Sequence, residues 1–264
     1  MLIGLFIAAA LVYGASSFVY GITRRDGERR VPPRLGDLLL LAAALIHTAC
    51  IGAQCVQGDH PFESVFLVTS FGTLLSVLGY FLVALRRPIP ALGAILAPIG
   101  LAGLVLGVLF GGTGVERLPA AGVLATAHIG LATAGLTGFT IAAGVAGVYL
   151  AMERRLRAKV FGPNPSGMSI AGLDRVHHRT VLLVTPVLTL AIVTGVLWTL
   201  QAGGPAMLGP RWIELVAGAA AWLMCVSLLV LRAAFGLRGR RAAGLTLIAF
   251  ACFVVVIVYY GVRA

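Results

Sequence analysis

Eight long apolar runs, each bounded by charge or by Pro and Gly, follow one another along the chain, near residues 2–22, 37–56, 65–85, 90–111, 120–150, 180–201, 212–231 and 243–262. A helix needs about 20 apolar residues to cross the hydrocarbon of a bilayer, and each run supplies them. The pattern predicts an all-α fold: a polytopic integral membrane helical bundle of about eight transmembrane helices, forming one membrane domain over residues 1–264. The first run lacks a basic n-region and its positive charges follow it, so it is expected to be a retained span and not a signal peptide. The longest connector is expected at about 153–178, with turns at Gly162-Pro163-Asn164-Pro165-Ser166-Gly167.

Composition agrees with this pattern. The chain is 59% hydrophobic and 11% charged, against about 25% charged in soluble domains, which excludes a water-soluble globule. A net charge of +11 would point a soluble protein toward nucleic acid, but the positions of the charges give it another meaning. All but three of the 20 basic residues fall in alternate connectors; the exceptions are Arg117, Arg211 and Arg263. By the positive-inside rule the basic connectors are cytoplasmic and both termini lie outside. The expected partner is therefore membrane lipid, with no nucleic acid. The 34 glycines suit close helix packing in lipid. The four cysteines show no CxxC spacing, so they read as small core residues with no thiol-redox or zinc role.

Ionisable groups at membrane depth are costly and default to functional candidates. His47 lies about ten residues before the outer end of the second run and His128 about eight residues into the fifth, roughly 15 and 12 Å deep at 1.5 Å per residue. Two imidazoles at matched depth on different helices are either axial ligands gripping a haem between them or buried polar groups bonded to neighbouring helices. His60, in the outer loop from Gln57 to Ser64, is either a candidate ligand or a solvated loop histidine. Glu63 is expected to open the third helix, where a carboxylate favours the positive end of the dipole. His177 and His178, among Asp174, Arg175 and Arg179, form an interfacial anchor or a site whose arginines pair with cofactor propionates. Arg211, Trp212 and Glu214, with Trp198, either belong to an aromatic belt or offer a flat surface to one face of a porphyrin. No HExxH, Walker loop, GxSxG or paired-carboxylate motif is present, which leaves hydrolase and nucleotide-driven readings unsupported, and no catalytic residue is assigned. All nine acids lie at or near run ends or in loops, which disfavours coupled transport.

Several stretches carry a family resemblance: His47-Thr48; Gly58-Asp59-His60-Pro61-Phe62-Glu63-Ser64-Val65-Phe66; Ala127-His128-Ile129; Tyr149-Leu150; Leu173-Asp174-Arg175; Leu188 to Trp198; Gly236-Leu237-Arg238-Gly239-Arg240-Arg241-Ala242-Ala243; and Tyr260-Gly261-Val262. In order, spacing and sidedness they resemble the CcsA/HemX-type cytochrome c assembly family, over about residues 40–264. The family's tryptophan-rich outer segment is represented only by Gly209-Pro210-Arg211-Trp212 and Glu214. Val230 stands where the assembly proteins carry a histidine before the arginine that ends the seventh helix, Arg232 here. The resemblance thus supplies His47 and His128 without the family's usual partner of either, and is nearer the short HemX-like branch.

The resemblance implies a multi-pass protein of a bacterial-type inner (cytoplasmic) membrane that handles haem b or transfers it in cytochrome c maturation. Its partners would be maturation components or apocytochrome c. His47 and His128 would be axial ligands, and His60, Arg211, Trp212 and Glu214 would shape the outer mouth. Two alternatives stay open. One is a HemX-like regulatory protein acting on a soluble haem-biosynthesis enzyme through its cytoplasmic loops. The other is a haem b electron carrier.

Overall fold

The computed structural model describes residues 2–26, 34–86, 89–111, 122–159, 168–202 and 212–263. These form α1 (Leu2–Asp26), α2 (Leu35–Gln57), α3 (Val65–Arg86), α4 (Pro90–Phe110), α5 (Val123–Arg157), α6 (Ile170–Ala202), α7 (Trp212–Phe235) and α8 (Arg240–Arg263), with no strand among the described residues. All eight helices are long and apolar enough to cross a membrane. Eight such helices in succession return the chain to the side on which it started, and by that alternation the end of α5, the start of α6 and the α7–α8 turn, with Arg154, Arg175, Arg179 and Arg238, share the opposite end.

Several helix ends differ from the expected ones, and three of the differences have a visible local cause. The expected connector at 153–178 is largely helical: α5 continues to Arg157 and α6 begins at Ile170. At about 52 Å, α5 is far longer than the roughly 30 Å of hydrocarbon. Its extension is supported by the Glu153–Arg157 pair at 2.8 Å and by Arg154, Arg155 and Arg157 in its last turn, where cations favour the helix dipole. Ser169 opens α6, its Oγ accepting the Gly172 N–H and its carbonyl the Leu173 N–H. At α3 the opening residue is Ser64 and not Glu63: the Ser64 Oγ accepts the Leu67 N–H and its carbonyl the Val68 N–H. A hydroxyl at the cap satisfies an otherwise orphaned donor directly, which a carboxylate one residue earlier does not. Third, α5 starts at Val123, after Gly122 at φ 114°, later than the expected residue 120. The expected turns at Gly162 to Gly167 lie outside the described residues.

Consecutive helices pair as hairpins, α1 with α2, α3 with α4, α5 with α6 and α7 with α8, and α1 also packs on α4. The longest helix joins the two halves, because α5 contacts α3, α4, α6 and α8. Its Ile141, Val145 and Val148 belong to a core shared with α1–α4, while its Phe139 packs with Val184, Leu188, Cys225 and Ala249 of α6–α8. In the first half, Gly100, Gly103 and Gly107 put one face of α4 against Tyr13, Thr73 and Ser70. A Cβ on Gly100 would lie 2.8 Å from the Tyr13 ring, and one on Gly107 2.5 Å from the Ser70 Cβ. Only backbone fits there, as is common where helices pack in lipid.

Gly107→Leu is expected to cost about 1–3 kcal/mol by overpacking, read as a lowered unfolding midpoint of the purified protein in detergent. Gly14→Ala, at a helical glycine with nothing within 4 Å, is expected to leave the midpoint unchanged or raise it.

Candidate functional site

His128 sits one turn into α5, roughly 8 Å from the start of that helix, whereas His47 is about 15 Å from the end of α2. The two levels are therefore less closely matched than the apolar runs imply, because α5 starts late. The His128 ring lies against α6. A Cβ on Gly195 would come within 2.7 Å of the ring, so the absence of a side chain at 195 makes the seat. Trp198 stacks at a tilt beside it, ring centroids 5.9 Å apart. Nδ1 is 2.7 Å from the Ala191 carbonyl oxygen. A carbonyl can only accept, so Nδ1 carries the hydrogen, and in a neutral ring Nε2 then holds a lone pair. Nε2 has no hydrogen-bond partner among the described residues. A histidine fixed by an Nδ1–H···O=C bond with Nε2 available is the arrangement that orients metal-ligating imidazoles.

His47 is held differently. It is fully buried, with Nδ1 3.2 Å from the Tyr13 hydroxyl on α1 and Nε2 2.9 Å from the Ser70 hydroxyl on α3. The Tyr13 ring meets it edge-on at 5.9 Å. A neutral imidazole offers one donor and one acceptor, and the two hydroxyls take both. Ligation through either nitrogen would therefore break a buried hydrogen bond. His47 belongs to the α1–α3 packing and His128 to the α5–α6 packing, and no side chain among the described residues bonds to both.

The remaining candidates are spread out. His60 is exposed in the turn between α2 and α3, its carbonyl accepting the Glu63 N–H at 3.0 Å. Trp212 is the first residue of α7 and is 59% exposed. Arg211 lies outside the described residues, and Glu214 is in the first turn of α7. No group of three or more His, Cys, Asp or Glu is placed to hold a metal ion among the described residues.

At the basic end a second polar cluster fastens α6 to α7 and α8. Asp174 takes the Arg232 guanidinium in a fork, at 2.8 Å and 3.3 Å, and also accepts the Gly239 N–H at 3.2 Å. Gly236 and Gly239, at φ 66° and 70°, bend the α7–α8 turn to bring that N–H inward. His177 is buried. Its Nε2 donates to the Thr246 Oγ at 2.8 Å, since the threonine hydroxyl's own hydrogen goes to the Ala242 carbonyl. His177 is thus a tie to α8 and not a surface anchor, while His178 is half-buried.

Other polar ties between helices escaped the sequence reading. Asp37 accepts hydrogen bonds from Tyr20 at 2.5 Å and Tyr80 at 2.7 Å, and the Trp222 indole donates to Thr189 at 2.8 Å. No local spacing marks these pairs; the only signal is a polar residue on an otherwise apolar helix.

A family model described as cytochrome c assembly protein matches residues 120–264, more than half of the chain. The match covers α5–α8, with His128, the 211–214 segment and the Asp174–Arg232 cluster. It does not cover α1–α4, where His47 and His60 lie; the resemblance read from the sequence begins at about residue 40. No curated protein and no solved structure gives a significant match.

The Asp174 and Arg232 side chains are 16% and 14% exposed. Asp174→Ala is expected to cost about 2 kcal/mol, between the small worth of surface pairs and the larger loss on breaking a fully buried one. In a double-mutant cycle followed by denaturation in detergent, Asp174→Ala and Arg232→Ala should be clearly non-additive. Additive losses would mean that the pair contributes nothing.

Proposed function

Because the chain belongs to the cytochrome c assembly protein family, we propose that it binds haem b and hands it on during cytochrome c maturation, in a bacterial-type inner membrane. The observation that carries this reading is His128. It lies within the matched region, its tautomer is set by the Ala191 carbonyl, and its Nε2 has no partner among the described residues. Bound haem would supply an iron that takes an imidazole nitrogen, and His128 is the residue suited to hold it. Gly195 and Trp198 keep the ring from turning. The outer mouth, as read from the sequence, would be formed by His60, Arg211, Trp212 and Glu214.

The two imidazoles then divide their work. His128 is the ligand this chain offers. His47, the other half of the pair expected from the sequence, is engaged at both nitrogens and ligates only if Tyr13 or Ser70 lets go. His128 would hold haem iron without losing a hydrogen bond and His47 would not, so any further ligand would come from the acceptor or a partner protein, which suits a protein that must release its cargo. By the positive-inside rule the basic end faces the cytoplasm and His128 lies near the outer face. Apocytochrome c or another maturation component is the partner this sidedness fits.

A HemX-like regulatory role is the second reading, favoured by the exposed arginines Arg154, Arg175, Arg179 and Arg238 at the basic end. There a soluble haem-biosynthesis enzyme with an acidic face would dock.

The protein expressed with sufficient haem and purified in detergent is expected to show a Soret band and reduced-minus-oxidised α and β bands. His128→Ala should remove most of that absorbance, and Gly195→Ala, which pushes on the ring, should weaken it. His47→Ala should keep the bands while lowering the unfolding midpoint by an amount equivalent to about 1–3 kcal/mol, the cost of leaving buried hydroxyls unpaired. A colourless wild type, or full absorbance in His128→Ala, would overturn the haem reading and leave the regulatory one.

A further inference from the structure

The matched half of the chain has a cavity that the haem reading does not use. It has a volume of about 580 Å³, lies at the basic end, and is lined by Tyr149, Asp174, Arg175, Arg232, Arg238 and Gly239, with Ile170 and Ala171 as an apolar wall. Three guanidinium groups share it with one carboxylate. Asp174 is committed to Arg232 and the Gly239 N–H. Arg175 and Arg238 are exposed and have no carboxylate partner among the described residues. The cavity therefore presents two uncompensated positive charges on planar forks, the geometry that takes two oxygens of a phosphate at once.

Its level selects the source of the phosphate. Arg175 precedes the uninterrupted apolar stretch of α6 at Thr180–Val181 by five residues, about 8 Å along the helix. The headgroup layer occupies roughly 5–8 Å on each side of the hydrocarbon. Arg232 marks where the apolar run of α7 ends, and Phe235, one turn beyond, is 80% exposed. A side chain that large and apolar, left uncovered in the last turn of α7 between two of the lining arginines in sequence, fits contact with acyl chain and glycerol better than with water. The volume lies in the range of pockets that hold whole small molecules, about 300–1,000 Å³, and exceeds what a bare phosphate ion needs. We infer that this cleft between α5, α6, α7 and the α7–α8 turn binds the phosphate headgroup of an anionic phospholipid, held by Arg175 and Arg238 while the Asp174–Arg232 pair keeps the cavity open. Basic pockets between helix ends on the cytoplasmic side are a general means of retaining such lipids.

The full chain, stripped of lipid in detergent, is to be titrated with phosphatidylglycerol, phosphatidylcholine and inorganic phosphate, with the unfolding midpoint and lipid adducts in native mass spectrometry as readouts. Phosphatidylglycerol should raise the midpoint and be retained as a single adduct, and the other two should not. Arg175→Gln/Arg238→Gln should abolish both effects, while Arg154→Gln/Lys159→Gln, which removes the same charge elsewhere on the basic end, should keep them. Arg175→Lys/Arg238→Lys, which preserves charge and folding but not the forks, should weaken phosphatidylglycerol binding by about tenfold. Equal phosphatidylglycerol binding by all variants would overturn the site. A shift produced as well by inorganic phosphate would overturn its assignment to lipid.

Discussion

A bilayer interior offers no hydrogen bonds, and every polar group in this bundle is placed under that constraint. Most of the threonines, and Ser17 and Ser76, solve it locally, returning their hydroxyls to the carbonyl four residues back, as at Thr48, Thr69, Thr133, Thr185 and Thr199. The groups that cannot do so join helices together: Tyr13 to His47 to Ser70, Tyr20 and Tyr80 to Asp37, Gln54 to the Gly107 carbonyl, Trp222 to Thr189 and His177 to Thr246. Among the described residues no buried side-chain nitrogen or oxygen is left without a partner. In lipid, where apolar contact between helices brings little gain over contact with acyl chains, such bonds and the close approach of small residues decide which helix lies against which.

The two halves use this differently. In α1–α4 the polar ties are deeply buried and the α4 glycines let Tyr13, Ser70 and Thr73 reach the helix backbone, producing a tightly closed unit around His47. In α5–α8 the ties run along the bundle, from Asp174, His177 and Thr246 at the basic end, through Trp222 and Thr189, to His128 and the Ala191 carbonyl, and α7 is thinly covered, with 17% of its spanning window buried against 61% for α5. The His128 contact lies at the end of α5 and α6 away from the Asp174 cluster. Helix α5 gives both halves a common wall.

The apolar runs were enough to read the helix count and order, because length and hydropathy alone decide whether a segment crosses lipid. They misplaced the ends of α5 and α6, since a helix continues into water wherever capping and charge support it, as the Glu153–Arg157 pair and Ser169 do. Apolar content stops at the membrane and hydrogen bonding does not. The histidines could be picked out as buried polar groups, but not what each is bonded to. The His47 partners are 34 and 23 positions away, and Asp174 meets Arg232 and Gly239 at separations of 58 and 65. Such pairs follow from helix rotation and neighbour order, and a single sequence fixes neither.

The same two histidines illustrate why depth is a poor guide to ligation and tautomer a better one. Both are on apolar helices in the outer part of the bundle. A histidine becomes available to a metal when one nitrogen is tied as a donor to a group that can only accept, which commits the other nitrogen to a lone pair. The Ala191 carbonyl imposes that on His128. Hydroxyls impose nothing of the kind, because each can donate or accept, so His47 between Tyr13 and Ser70 has two tautomers that satisfy its surroundings equally and no nitrogen left over. An imidazole bonded to two hydroxyls is a fastener between helices. One bonded to a carbonyl and seated on a glycine is an aimed electron pair, and the carbonyl, four residues before Gly195 and seven before Trp198, lies on the same face of α6 that makes the seat.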